Sequence, residues 1–293
     1  MSGKRSSARR GAAARGTMKI GVFDSGLGGL LIARSLVRKL PEYDYLYLGD
    51  TQRVPYGNRS QEAVRRFLEE AVDHLFKKNC ALIVVACNTA SAEALRMVQQ
   101  HYLPKHYPDR RVLGVIIPTA EEALAKDGNS RANGRASHRA IKRIGVLATA
   151  GTVASKTYER EIKKLSRSVK VFQSAAPLLV PLIENEMRRF ASPFVREYVA
   201  PLKRARVDAV ILGCTHYPAL KAMIKKEAGV PVISQDDIIP KKLRNYLDRH
   251  PEMDAKLSKR RTRELLVTDI TPGYIKLSKA WFGKQAKPKK IAL

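Results

Sequence analysis

Acidic residues are scarce in this chain of 293 residues: 27 Asp and Glu stand against 55 Lys and Arg, for a formal net charge of +28. Cysteine is scarcer still, with only Cys80, Cys87 and Cys214. Three thiols cannot build a disulfide scaffold of the kind that holds small secreted domains together. No close Cys or His pair has zinc-finger spacing, and Cys-X-X-Cys is absent, so neither a structural zinc site nor a disulfide oxidoreductase is expected. No apolar run approaches the ~18–20 residues that span a bilayer, and no secretory segment stands near the start. The expectation is a soluble, intracellular protein with no membrane partner. What is present is globular in kind. At 44% hydrophobic and 28% charged, the composition excludes wholesale disorder. The length suits one large or two ordinary domains.

The positive charge is unevenly placed. Residues 1–17 carry +5 without a single acid, residues 126–143 carry +5, and residues 254–293 carry +8. Such segments attract nucleic acid and other polyanions, or simply keep a surface solvated. Residues 1–17 are rich in Ser, Gly, Ala and Arg without apolar periodicity and read as a disordered basic leader. Residues 127–140 read as a polar loop, and 284–293 as a basic tail.

Between the flanks, apolar strands alternate with helical periodicity. Strands are expected near 20–23, 45–48, 81–86, 112–116, 144–147, 169–172, 209–212, 230–233 and 265–267. Helices are expected between them. Ser60 caps one with an apolar face at Val64, Phe67, Leu68, Ala71, Leu75 and Phe76. Others start near Ser91 and after Pro118, and one fills much of 178–206. Such alternation means β-α-β units and parallel sheets, an α/β fold. Ligands gather at the carboxyl ends of strands in such folds. The polar motifs stand there: Asp24-Ser25, Asp50, Cys87-Asn88-Thr89, Thr149 to Thr152, and Cys214-Thr215-His216.

Two of these motifs echo each other. Leu-Ile-Val-Val-Ala-Cys87-Asn-Thr and Ala-Val-Ile-Leu-Gly-Cys214-Thr-His are apolar strands ending in a small residue, a cysteine and polar residues. They imply two similar α/β domains, each offering one thiol. A cysteine at a helix start meets unpaired N–H groups and the positive end of the dipole, which favour thiolate. A lone cysteine after a strand reads equally well as a small buried hydrophobe, and Cys80 is assigned that role. Two thiols facing one site suit proton transfer at a carbon stereocentre, one removing a proton from one face and one delivering it to the other. A cysteine hydrolase would use Cys214 and His216 but leave Cys87 without a task.

At these residues the sequence resembles the glutamate racemases, within the aspartate/glutamate racemase family. The resemblance rests on Gly21-Val-Phe-Asp-Ser-Gly-Leu-Gly-Gly29, Gly49-Asp-Thr-Gln-Arg-Val-Pro-Tyr-Gly57, Ala86-Cys-Asn-Thr-Ala-Ser91 and Ile211-Leu-Gly-Cys-Thr-His-Tyr-Pro218. It covers about 18–283. It implies a bacterial cytoplasmic enzyme that interconverts L- and D-glutamate with no cofactor and no metal, supplying D-glutamate for peptidoglycan. It implies that Cys87 exchanges the proton of the D-enantiomer and Cys214 that of the L-enantiomer. Asp24 would assist Cys87, and His216 and Glu184 would assist Cys214. Asp24, Ser25, Tyr56, Gly57, Asn88, Thr89, Thr215 and His216 would hold the substrate. By position alone, Asp24 and Ser25 also read as helix caps, Tyr56-Gly57 as a turn, His216 as a packing residue and Glu184 as a solvated one. The resemblance further implies that 18–112 with 235–283 form one domain and 113–234 the other, with the site in the cleft. The chain departs from the family at Ile117 and at Ser234-Gln235-Asp236. A racemase of aspartate, where Glu usually replaces His216, is the alternative. Homodimer formation and weak nucleic-acid binding by the basic flanks are further expectations.

Overall fold

The computed structural model describes residues 16–125 and 141–293. Most of the expected basic leader and the whole expected 127–140 loop lie outside the described residues.

The first sheet collects six strands: β1 (Lys19–Asp24), β2 (Tyr45–Gly49), β3 (Cys80–Val85), β4 (Arg111–Gly114), β9 (Arg263–Val267) and β10 (Pro288–Lys290), in the order β10-β9-β2-β1-β3-β4. The second collects β5 (Arg143–Ala148), β6 (Lys170–Ala175), β7 (Ala209–Gly213) and β8 (Val232–Ile233), in the order β6-β5-β7-β8. Every pairing is parallel. The central strands β2, β3 and β7 are buried at every residue, which is why their sequences are continuous apolar runs.

The helices of the first half begin with α1 (Gly29–Lys39) and α2 (Gln61–Lys77). Ser60 caps α2 by accepting from the Ala63 N–H. The buried face of α2 is the expected one with Val72 added, and each large apolar side chain it buries contributes about 1.5–3 kcal/mol. Then come α3 (Asn88–Glu93) and the short turns α4 (Leu95–Met97) and α5 (Leu103–His106). The second half has α6 (Ile116–Leu124), α7 (Ala150–Ala154), α8 (Thr157–Leu165), α9 (Leu179–Glu184), α10 (Ser192–Arg204) and α11 (Lys221–Ala228). The chain then leaves β8 into α12 (Gln235–Arg249), which packs on α1 and on α6. α13 (Pro251–Asp254) and α14 (Pro272–Trp281) complete the helices. One apolar cluster runs through both halves, from Ile20 and Val84 to Val195, Val210 and Leu212.

Several expectations are corrected. The boundary at 112/113 falls inside β4, which pairs with β3 through Gly114. Residues 284–293 are no free tail: Ala286 is buried, and β10 adds to β9 with Pro288 opposite Leu265. An edge strand needs only backbone pairing, and Pro at its first residue with lysines after it is tolerated there. The expected long helix at 178–206 is broken at Asn185–Met187, where Glu186 adopts a left-handed φ of 58°. The helix expected near Ser91 starts at Asn88, and α6 starts at Ile116 with Pro118 in its first turn, where no N–H is needed.

Candidate active site

The carboxyl ends of β1, β2, β3, β5 and β7 open onto one pocket of about 310 Å³, part of it continuous with solvent. Ser25, Tyr56-Gly57 and Cys87-Asn88-Thr89 line it from the first half, and Thr149, Val180 and Cys214-Thr215-His216 from the second. Both expected thiols therefore face the same space. Cys80 instead opens β3 as a fully buried residue among apolar neighbours, away from the pocket.

Cys87 is the N-cap of α3, and its sulfur accepts from the Ala90 N–H at 3.4 Å. It donates to Ser25 Oγ at 3.2 Å. The helix start does not leave it a thiolate. Burial pushes the thiol up to about 12 and the charge of Asp24 adds to this, outweighing the bonds to Ala90 and Ser25. The Cys214 sulfur also raises it.

Cys214 belongs to a different arrangement. Its sulfur lies 3.8 Å from His216 Nδ1, and His216 Nε2 lies 2.9 Å from Glu184 Oε1. Burial opposes a charge on His216, but hydrogen bonds to Cys214 and Glu184 and their charges raise its pKa well above the usual histidine range. These contacts favour the charged imidazolium beside the Cys214 sulfur. Trp281, at the end of α14, presents an edge contact to the His216 ring at 5.9 Å between centroids. Glu184 reaches His216 because α9 ends there, at the break that periodicity did not reveal.

Asp24 is fully buried and serves the loop more directly than the thiol. Its Oδ2 accepts from the N–H groups of Gly26 and Gly29, and Oδ1 from the Thr215 hydroxyl at 3.2 Å. Burial raises its pKa, against the lowering charge of His216 and these hydrogen bonds. Asp24 thus braces the start of α1 from beneath the pocket and does not itself line it, and the direct bond of Cys87 goes to Ser25. Glycine at 28 has a packing reason: a Cβ there would sit 2.5 Å from Thr215 Oγ1. Likewise a Cβ on Gly57 would meet the Thr149 Cβ at 2.7 Å.

The remaining expected residues are brought together with their polar atoms differently engaged. The Tyr56 hydroxyl donates to Asp50 Oδ2, so it is already engaged away from any ligand. Thr89 Oγ1 lies 3.0 Å from Thr149 Oγ1, a hydroxyl pair formed between the halves. The Asn88 side chain is bonded to Gln235 and Tyr158. Thr149 and Val180 were not among the chosen site residues. Thr149 stood at a strand end and could have been chosen, but Val180 carries no polar signal at all. Among the described residues, no three His, Cys, Asp or Glu side chains are grouped to hold a metal ion.

A sequence profile described as Asp/Glu/Hydantoin racemase matches residues 31–239. The chain belongs to this racemase family. It is 39% identical over 240 residues to a glutamate racemase of Dinoroseobacter shibae, covering 80% of this chain and 86% of that one. It is 36% identical over 272 residues to one of Geobacter metallireducens, covering 90% and 92%. Among solved structures, a glutamate racemase isoform of Bacillus anthracis superposes with a TM-score of 0.81 at 33% identity, covering 94% of this chain and 98% of that one. The glutamate racemase of Francisella tularensis, solved with D-glutamate, gives a TM-score of 0.81 at 28% identity, covering 94% and 97%. The enzyme class is therefore that of an isomerase acting by racemisation. No described helix is long and apolar enough to cross a membrane.

Proposed function

We infer that the protein interconverts L- and D-glutamate by two-base proton transfer, and the observation that carries this is the pair of thiols, Cys87 and Cys214, lining one pocket from opposite halves. In the L-to-D direction, Cys214 as thiolate takes the α-proton, and the electron pair stays on the α-carbon, spread into the carboxylate. The Cys87 thiol gives its proton to the opposite face, leaving Cys87 as thiolate and Cys214 as thiol. The reverse reaction exchanges these roles. Burial favours the Cys87 thiol over its thiolate, which suits the donor half of that cycle. The imidazolium of His216, held by Glu184, faces the sulfur that must carry negative charge. Thr89, Thr149 and Thr215 hydroxyls and backbone N–H groups offer hydrogen bonds for two carboxylates and an ammonium. Asp24 steadies the Ser25 loop and Thr215, and acts on Cys87 through its charge.

We propose further that it is a cytoplasmic enzyme that supplies D-glutamate for peptidoglycan. We place the division between the domains after β4, with α12 to β10 in the first. Self-association as a homodimer and weak, salt-sensitive nucleic-acid binding by the basic flanks belong to the same proposal.

The test is incubation with L-glutamate or L-aspartate in D2O without added cofactor, followed by chiral chromatography and mass spectrometry. D-glutamate carrying one solvent deuteron is expected. Faster turnover of aspartate would replace the substrate, and loss of activity on chelation, restored by metal, would overturn the mechanism. Sedimentation velocity reports on the dimer, and a mobility shift at low salt on nucleic-acid binding.

A further inference from the structure

Gln235 stands where the chain leaves the second sheet, as the first residue of α12 immediately beyond β8. Gln235, Asn88 and Tyr158 are all buried, and their polar ends meet. Asn88 Nδ2 donates to Gln235 Oε1 at 2.8 Å. Gln235 Nε2 donates to Asn88 Oδ1 at 2.8 Å and to the Tyr158 oxygen at 2.9 Å. The Tyr158 hydroxyl donates to Asn88 Oδ1 at 2.8 Å. Both protons of the Gln235 amide and the Tyr158 proton are used, and the Asn88 oxygen accepts twice. A network so fully satisfied is rigid, because any rotation of one amide leaves buried groups unpaired.

The three side chains come from three places. Asn88 opens α3, directly after Cys87. Tyr158 lies on α8 in the second half, and its ring packs beside Gly213, within 3.3 Å of where a Cβ there would stand. Gly213 directly precedes Cys214. Gln235 lies on the crossing segment itself. The network therefore ties the loop of one thiol to the strand end of the other at the point where the halves are joined.

We propose that Gln235 and Tyr158 are positioning residues that hold Asn88, and through it the start of α3, so that the Cys87 sulfur is aimed at the α-carbon. The clasp acts on Cys87 through a hydrogen bond to its neighbour. Cys214 keeps its own support from His216 and Glu184 and needs only the Tyr158 ring. Releasing the clasp therefore weakens the Cys87 side selectively. This rests on the two-base reading above.

Racemisation rates cannot reveal a one-sided defect. Enantiomers have equal free energies in water, so kcat/KM must be equal in the two directions whatever the variant. Elimination from 3-chloroglutamate can reveal it, since that needs only one proton abstraction: the Cα–H proton passes to the thiolate, the C–Cl bond breaks and chloride leaves. The variants are Gln235→Ala and the milder Tyr158→Phe, which keeps the ring and loses only the hydroxyl. Cys87→Ser and Cys214→Ser serve as references. In both clasp variants, elimination from the D-analogue should fall about tenfold or more, through kcat rather than KM, since misplacement by an ångström can cost that much. Elimination from the L-analogue should stay within about threefold. Melting temperature reports whether each variant folds, and Tyr158→Phe decides the matter if Gln235→Ala does not. Equal losses with both analogues, or no loss with either, overturn the clasp. If the cysteine references do not lose opposite analogues, the two-base reading itself fails and the clasp falls with it.

Discussion

Glu93 ends α3 against the second half, and among the described residues its charge has no partner. Its Oε2 is enclosed without a hydrogen bond, and its other oxygen lies so close to Gly151 that a methyl group there would collide with it. Burial alone raises its carboxyl from the ordinary 4.5 to about 7, with no charged group contributing. The raised value means that the folded protein prefers the neutral acid. Below pH 4.5 both folded and unfolded chains carry the proton, and nothing is lost. Between pH 4.5 and 7 the unfolded chain ionises first, so stability falls as pH rises. Above pH 7 the full cost is present. For a sealed group that displacement would correspond to about 3 kcal/mol, but Glu93 is only partly buried and water screens it, leaving about 1 kcal/mol. Glu93→Gln should therefore be more stable than the parent by about 1 kcal/mol at pH 8, a rise of about 2 °C in melting temperature for a chain of this size. The gain should shrink to nothing near pH 4.5. Denaturant melts from pH 4.5 to 8.5 measure it. A gain that is constant across that range, or a loss at pH 8, would refute the account of Glu93 as an unpaired carboxylate.

Much of the fold was legible because burial on both sheet faces writes continuous apolar strands into the sequence. Leu82 to Val85 and Val210 to Leu212 leave little other choice, and the polar residues at their ends mark the ligand side. The thiol pair was legible for the same reason. What escaped had no such imprint. β10 is Pro-Lys-Lys held by backbone pairing, and composition marks it as a tail. Val180 enters the pocket as one apolar residue among many on its helix. The break at Asn185–Met187 depends on a left-handed Glu186, which no glycine announces. Gln235 and Tyr158 lie 77 residues apart and find Asn88 only through the tertiary fold. The protonation of Cys87 was misjudged because a helix start can be seen in a sequence, whereas the burial and the Asp24 charge that outweigh it cannot.

The remaining predictions concern the site. Cys80→Ser should leave racemisation within about twofold of the parent, since this thiol is pushed up to about 12 by burial and lies away from the pocket; iodoacetamide labelling should likewise be slow at Cys80. Gly57→Ala should lower kcat/KM by about tenfold or more while leaving the sheets intact, because its methyl group must displace Thr149 from the pocket wall; full activity would show that the Tyr56-Gly57 loop yields freely. The last prediction separates the imidazolium from its support. Burial pulls the His216 pKa down, and Cys214 and Glu184 together lift it. Glu184→Gln keeps an oxygen that accepts from Nε2 but removes the negative charge, so one of the two lifting partners is weakened and the pull of burial gains. The pH at which His216 loses its proton should fall, and imidazole resonances followed by NMR through pH 5–9 report it directly. Elimination from L-3-chloroglutamate, which uses Cys214, should fall more than elimination from the D-analogue and should lose rate as pH rises through the new His216 midpoint. An unchanged His216 titration would mean that Glu184 is a structural neighbour and that the charge beside Cys214 is set elsewhere.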